Sequence, residues 1–207
     1  MTKLLSLRDR KKKATRELLA AAAYEVVRDH GVDALSAEAV ADLAGVSRRT
    51  FFNYFPTVES ALVPVVTDAL AAIGELLATK AYGDHPMATL ADLARGDDDA
   101  DLIELVTVLG LAALQSPSHA GLLQRCSREW HDDFVAKLRT QFGDDVDDLW
   151  LHAAATGLIS AFEASTRVWF DRTGGELTPE TLRLRRDLMA DALDLLGAGF
   201  DSTSRKA

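Results

Sequence analysis

Residues 36–55 read Ser-Ala-Glu-Ala-Val-Ala-Asp-Leu-Ala-Gly-Val-Ser-Arg-Arg-Thr-Phe-Phe-Asn-Tyr-Phe, and this stretch constrains the fold more than any other. Ser36 and Ser47 each follow an apolar residue, Leu35 and Val46, and each precedes a run with helical spacing. A Ser in that place accepts hydrogen bonds from the free N–H groups of a helix's first turn, and the apolar residue before it packs against one four positions into the helix. Leu35 is thus paired with Val40 and Val46 with Phe51, while Gly45 supplies the turn between the two helices. Ala39 stands where a full capping box needs Glu or Gln, so the first cap is half of that motif. Two short capped helices about a glycine predict a helix-turn-helix, whose second helix enters the major groove of DNA.

At about 100° per residue, Phe51 and Phe55 share the buried side of the second helix, and Arg48, Arg49, Phe52 and Asn53 look outward. In the first helix Val40 and Leu43 are expected to point inward. A helix of six or seven residues is unstable alone and exists only when packed. Held rigidly, it offers the chemistry of base reading: Arg pairs bidentately with guanine and Asn with adenine, each worth about 1–3 kcal/mol of discrimination.

Upstream, Leu18, Ala22 and Val26, with Leu19, Ala23 and Val27, form a helical stripe from Ala14 to about His30, ended by Gly31. Arg10 to Lys13 read as a basic arm ahead of that helix, suited to phosphate contact through Lys12 and Lys13. Downstream of Pro56, Thr57 caps a long helix to about Lys80, with Glu59 in its first turn and a kink expected near residues 60–64 because of Pro64. Further helices are predicted at His85–Arg95, Ala100–Gln115, Ser118–Phe142, Asp145–Arg172 and Pro179–Gly197, each bounded by Gly, Pro or an Asp cluster. The expectation is an all-α chain of about nine helices, a head in residues 1–56 and a larger body in residues 57–207.

The net charge of −9 argues against a polyanionic partner until it is divided along the chain. Residues 1–56 hold 10 Lys/Arg against 7 Asp/Glu, a net of +3, and residues 57–207 hold 13 against 25, a net of −12. A basic head on an acidic body fits DNA binding, because charges beyond about 8 Å are largely screened at physiological salt. The single Cys126, the absence of a cationic-apolar leader and the absence of an apolar run near the length of a membrane span give the expectation of a cytoplasmic protein without membrane contact.

The body carries aromatic residues at core-like spacing, and Trp130, Phe134, Trp150, Phe162 and Trp169 together make an apolar cavity plausible. Ala153, Gly157, Ala161 and Ala164 allow close approach of another helix. The last helix has two apolar stripes, Leu182, Met189, Leu193 and Leu196 on one and Leu184, Leu188 and Leu195 on the other. One stripe serves the core and the other a partner, which predicts a homodimer through the last two helices. His119, His131 and His152 lack tight metal-ligand spacing, and the acidic runs at Asp97–Asp101 and Asp144–Asp148 read as helix N-terminal residues, so neither a metal nor a cofactor is expected.

Ala44-Gly-Val-Ser-Arg-Arg-Thr-Phe-Phe-Asn-Tyr-Phe55, followed by Thr57, Glu59 and Leu62, resembles the signature of TetR-type transcriptional regulators. The resemblance covers about residues 11–62. It implies a homodimer whose two heads read a palindromic double-stranded operator, repression on binding, and release by a small-molecule effector held in the body. Carried onto this chain, the resemblance makes Thr50 and Tyr54 DNA contacts and places a phosphate contact at the turn containing Thr57. With Lys12, Lys13, Ser36, Ser47, Arg48, Arg49, Phe52 and Asn53, these complete the expected DNA-facing set. Two positions depart from the family: Phe52 replaces a common Tyr and lacks its hydroxyl, and Val58 replaces a common Lys and cannot neutralise a phosphate. The alternative is a helical enzyme or interaction module that only resembles a reading head. No Gly-rich phosphate loop, nucleophile elbow or metal quartet supports the enzyme.

Overall fold

Helices begin and end where the sequence places Ser, Thr, Asp, Gly and Pro. The computed structural model describes residues 7–78, 86–96, 100–142 and 146–198. Among these residues the regular structure is entirely helical: α1 (Leu7–His30), α2 (Ala37–Leu43), α3 (Arg48–Tyr54), α4 (Val63–Ala78), α5 (Pro86–Arg95), α6 (Ala100–Gln115), α7 (Pro117–Phe142), α8 (Asp148–Thr173) and α9 (Pro179–Gly197). Short 3-10 turns at Val32–Ala34 and Glu59–Leu62 precede α2 and α4. The expected helix ends at Lys80 and His85, and the acidic residues Asp97–Asp99, Asp144 and Asp145, lie outside the described residues.

The N-terminal head forms around Leu19, Ala23, Val40, Phe51 and Phe55, all at most 1% exposed. Its core does not stop at residue 56. Ala61 and Leu62 from the 3-10 turn, and Val108 and Ala112 from α6, belong to the same buried cluster. A second cluster gathers Leu90, Phe134, Leu138, Leu151, Ala155 and Leu193 from the body helices. Between the two, Val66, Ala69, Leu109, Leu122 and Cys126 join α4, α6 and α7. Burial pushes the Cys126 thiol above its ordinary value, as a small apolar-like core residue requires.

Several sequence expectations are corrected by the packing. Arg10 to Lys13 are not an arm before the first helix but its second turn, since α1 begins at Leu7. Lys and Arg are good helix formers, no breaker intervenes, and Lys13 pairs with Glu17 one turn on at 3.6 Å. Leu43 is 52% exposed, because Ala37, Val40 and Ala41 set the inward face of α2 and residue 43 falls off it. Leu18 is left half-exposed in the same way, beside the buried seam of Leu19, Ala22, Ala23, Val26 and Val27.

Pro64 does not kink a continuous α-helix. It is the second residue of α4, where its missing N–H has no intrahelical acceptor to lose, and the 3-10 turn Glu59–Leu62 directly precedes that helix. The run Glu59–Leu77 is nevertheless long and apolar enough, by length and composition alone, to cross a membrane, with a mean hydropathy of 1.6. Here its apolar residues are divided between the head core at Ala61 and Leu62 and the body core at Val66, Ala69 and Leu77.

In the body, Asp147 caps α8 by accepting from the N–H groups of Leu149 and Trp150 at 2.8 and 3.3 Å. Gly174, at φ +68°, closes α8, and Thr178 and Thr181 cap α9 reciprocally. Trp169, fully buried, donates its indole N–H to the Thr181 carbonyl at 2.7 Å and so fixes the α8–α9 corner. Of the small residues on α8, Ala161 is buried and Gly157 faces Leu196 of the chain's own α9, while Ala153 and Ala164 are exposed.

Gly45 adopts φ +66° with nothing within 4 Å of the position a Cβ would occupy, so Gly45→Ala costs backbone strain alone, about 1–2 kcal/mol in urea unfolding. His119, at the start of α7, is 7% exposed, with Nδ1 2.9 Å from the Ser116 hydroxyl. Burial pushes its imidazole below the ordinary 6.5, outweighing the opposite pull of Glu59. Unfolding releases this constraint and the ring takes up a proton, so its contribution to stability is complete above about pH 6.5 and falls away as the pH drops below that value. An NMR titration of His119 in the folded protein is expected to give a midpoint below 6.5, and a midpoint at or above it would contradict the assignment.

Candidate nucleic-acid interface and the cavity behind it

The exposed side of α3 is built by what holds its other side. Phe51 and Phe55, 0% and 1% exposed, lie with ring centroids 5.8 Å apart and pin the helix to the head core. The Ser47 hydroxyl accepts from the Thr50 N–H at 3.0 Å and lies 2.8 Å from the Thr50 hydroxyl, so the first turn is fixed at its front edge as well. Ser36 does the same for α2, accepting from the Ala39 N–H at 3.1 Å.

With those anchors in place, Arg48, Arg49, Phe52 and Asn53 all project to solvent, as the helical spacing predicts. Thr50 and Tyr54 are half-buried at the edges of that face. The Arg48 guanidinium lies 5.7 Å from the centre of the Phe52 ring, and Phe52 meets Phe51 edge to face at 5.3 Å. Phe52 is thereby held beside a cation, giving the residue that departs from the family a definite orientation.

The N-terminal half of α1 is tied to the end of α3. Arg16 stacks its guanidinium 4.8 Å from the centre of the Phe55 ring, which fixes the N-terminal half of α1 beside the end of α3. Lys12 lies one turn before Arg16 on the same side of the helix, and both are exposed. Sequence reasoning missed Arg16, whose signal was its single-turn spacing from Lys12. At the other edge, Thr57 and Ser60 cap each other: the Thr57 N–H donates to the Ser60 hydroxyl and the Ser60 N–H to the Thr57 hydroxyl, both at 3.2 Å. Ser60 was the unrecognised half of that pair. Val58 packs half-buried against the head core, so an apolar contact occupies the place where the family has a cation.

Behind the head, an apolar cavity lies among α4, α5, α6, α7, α8 and α9. One lobe, about 100 Å³, is walled by residues including Val66, Ile73, Leu109 and Trp130. A second, about 160 Å³, is walled by residues including Leu90, Ile103, Thr107 and Arg185. The lobes adjoin, since Ile73, Leu77, Val106, Leu158, Phe162 and Met189 line both.

The sequence-predicted aromatic residues are divided by the structure. Trp130 and Phe162 line the cavity, and Phe134 stacks behind Trp130 with centroids 4.6 Å apart. Trp150 and Trp169 do not line it: Trp150 is 38% exposed in the first turn of α8, and Trp169 is spent on the α8–α9 corner. Arg185 was missed. Its sequence signal was an arginine lodged in the apolar stripe between Leu182 and Met189.

Arg185 is 2% exposed, and burial alone pushes its guanidinium down to about 10, which leaves it charged at neutral pH. It donates to the Ser165 and Thr166 hydroxyls at 2.9 and 2.8 Å, and its plane lies 5.0 Å from the centre of the Phe162 ring. Elsewhere in the body, the rings of His131 and His152 stack at 5.2 Å, and among the described residues no three His, Cys, Asp or Glu side chains gather as metal ligands.

Comparison with known proteins agrees with this geometry. The family model for bacterial regulatory proteins of the tetR family matches residues 18–60, from the middle of α1 into the 3-10 turn before α4. No curated protein matches the chain. Among solved structures, the fatty acid degradation regulator FadR from Bacillus halodurans is similar at 15% identity, covering 90% of this chain and 96% of its own, with a TM-score of 0.60. Thermus thermophilus FadR, a TetR-family transcriptional repressor in complex with lauroyl-CoA, is 23% identical over 93% of this chain and 98% of its own, with a TM-score of 0.58. Bacillus subtilis FadR in complex with stearoyl-CoA is 18% identical over 88% of this chain and 98% of its own, with a TM-score of 0.56. The head thus matches the tetR-family model in residues 18–60, and the chain shares the fold of these solved regulators along nearly its whole length.

Proposed function

We propose that this chain is a cytoplasmic homodimeric repressor that binds a palindromic double-stranded operator and leaves it when a small apolar effector fills the body cavity. The observation that carries the reading is the row Arg48, Arg49, Phe52 and Asn53, exposed on a helix whose opposite side is locked by Phe51 and Phe55. In this reading Arg48, Arg49 and Asn53 meet base edges and Phe52 meets a thymine methyl. Lys12, Lys13, Ser36, Ser47, Thr50, Tyr54 and Thr57 ring them as backbone contacts that set the register. Lys12 and Lys13, one turn from the Arg16–Phe55 stack, take over the phosphate neutralisation that Val58 cannot supply.

Two helices support the link between effector and operator. α6 contributes Val108 and Ala112 to the head core and Val106 and Leu109 to the cavity wall. α4 follows α3 through a 3-10 turn whose Ala61 and Leu62 lie in the head core, and it continues into the cavity at Val66, Leu70 and Ile73. A ligand that displaces either helix acts directly on the packing behind α3. The solved regulators of the same fold that carry lauroyl-CoA and stearoyl-CoA make long acyl chains the first effectors to try.

The dimer is proposed through α8 and α9. Leu184, Leu188 and Leu195 remain half-buried on α9, and Leu149, Val168, Ala153 and Ala164 remain exposed on α8. Two-fold pairing of these helices would give the reading heads the symmetry a palindrome requires. No catalytic step is assigned to the chain.

The test is operator binding by Arg48→Ala, Arg49→Ala and Asn53→Ala. Each is expected to weaken specific binding by about 1–3 kcal/mol while circular dichroism and sedimentation show a folded dimer. Lys12→Ala is expected to weaken binding on all sequences and lower the salt-dependence slope by about one. Wild-type affinity in the three face variants would place the reading face elsewhere.

A further inference from the structure

Arg185 is a buried cation without a counter-charge. Among the described residues no carboxylate pairs with it, and its partners are the Ser165 and Thr166 hydroxyls and, at 3.4 Å, the Phe162 carbonyl. Those hydroxyls give their own protons to helix carbonyls, Ser165 to Ala161 at 2.5 Å and Thr166 to Phe162 at 2.7 Å. They therefore offer the guanidinium lone pairs alone, which orient it but do not neutralise it. Its Nε–H has no hydrogen-bond partner.

The position of this charge is as informative as its isolation. Arg185 forms part of the wall of the larger lobe, beside Phe162 and Met189 and near the buried Thr107 hydroxyl, in a lining that is otherwise mostly aliphatic. A charged group deep in an apolar cavity is costly unless something pairs with it, and a guanidinium is shaped to take a carboxylate through two parallel N–H donors. Phe162 also lines the adjoining smaller lobe, which is apolar.

We infer that the effector of this regulator is an apolar carboxylic acid, bound as its anion with the carboxylate on Arg185 and its hydrocarbon part in the two adjoining lobes. The inference rests on the reading of the cavity as the effector site and names the chemistry of its occupant. A carboxylate whose acyl carbon is instead esterified, as a methyl ester or a coenzyme A thioester, lacks the second oxygen anion and loses the pairing. Arg185 is in this account a binding residue with a stability cost in the unliganded protein, and the Ser165 and Thr166 hydroxyls are the positioning groups that aim it.

The test is calorimetric titration of the full-length protein with octanoate, decanoate and dodecanoate, each beside its methyl ester, and dodecanoate also beside lauroyl-CoA. For at least one chain length the free acid is expected to bind about 10- to 100-fold more tightly than its ester, as loss of a charge-assisted hydrogen-bond pair requires. That comparison uses the wild-type protein and does not depend on any variant folding. Arg185→Met is expected to abolish the preference for acid over ester and, because it removes an unpaired buried charge, to leave the melting temperature of the unliganded protein equal or higher. Arg185→Lys should keep part of the preference. Equal binding of acid and ester, or a preference unchanged in Arg185→Met, overturns the inference, as does failure of all three acids to bind. Release of operator by lauroyl-CoA or a methyl ester under those same conditions would leave the ligand-responsive reading standing, while failure of every compound to release it would count against both.

Discussion

The outward face of the head depends on seven residues of α3 being held as a helix they could not maintain alone. Phe51 and Phe55 supply the hold from behind, and Ser47, bonded to Thr50, supplies it at the first turn. Because both anchors lie on one side, the other side is free to carry residues chosen for chemistry and not for packing. The row Arg48, Arg49, Phe52 and Asn53 is that consequence. Arg16, stacked on Phe55, joins α1 to the end of α3.

The anchor is shared with the body. Phe51 and Phe55 pack in a cluster that includes Leu62, leading into α4, and Val108 and Ala112 from the middle of α6. Both of those helices also wall the cavity. Packed interiors resist compression, so a change in cavity contents cannot be absorbed locally when two of the walls are continuous with the head core. The separation of charge along the chain fits this division, with the excess of basic residues at the reading end and the acidic excess in the part that holds the cavity.

Where sequence periodicity and capping chemistry are strong, the structure was legible. Ser36 and Ser47 each cap a helix, the acidic run ending at Asp148 lies at the start of α8, and the inward and outward residues of α3 follow from spacing alone. Leu43 was misread because the face of a two-turn helix is set by all its small residues together, here Ala37 and Ala41 with Val40. Pro64 was misread because spacing cannot distinguish a proline within a helix from one at its start when a 3-10 turn precedes it. Aromatic content foretold a cavity but not its lining: Trp130 walls it, while Trp169 closes a helix corner and Trp150 lies near the surface. Arg185 escaped notice because a charged residue on a helix is ordinarily solvated, and only the three-dimensional packing shows that this one is not.

The central claim is that the exposed side of α3 reads a specific, two-fold symmetric DNA sequence. Selection of bound fragments from a random double-stranded library by the full-length protein tests it most directly. The account predicts enrichment of an inverted repeat whose half-site centres are separated by about 34–36 Å, one turn of the duplex, or by a multiple of that distance. Recovery of fragments without a shared sequence, or of a single unrepeated half-site, would contradict it.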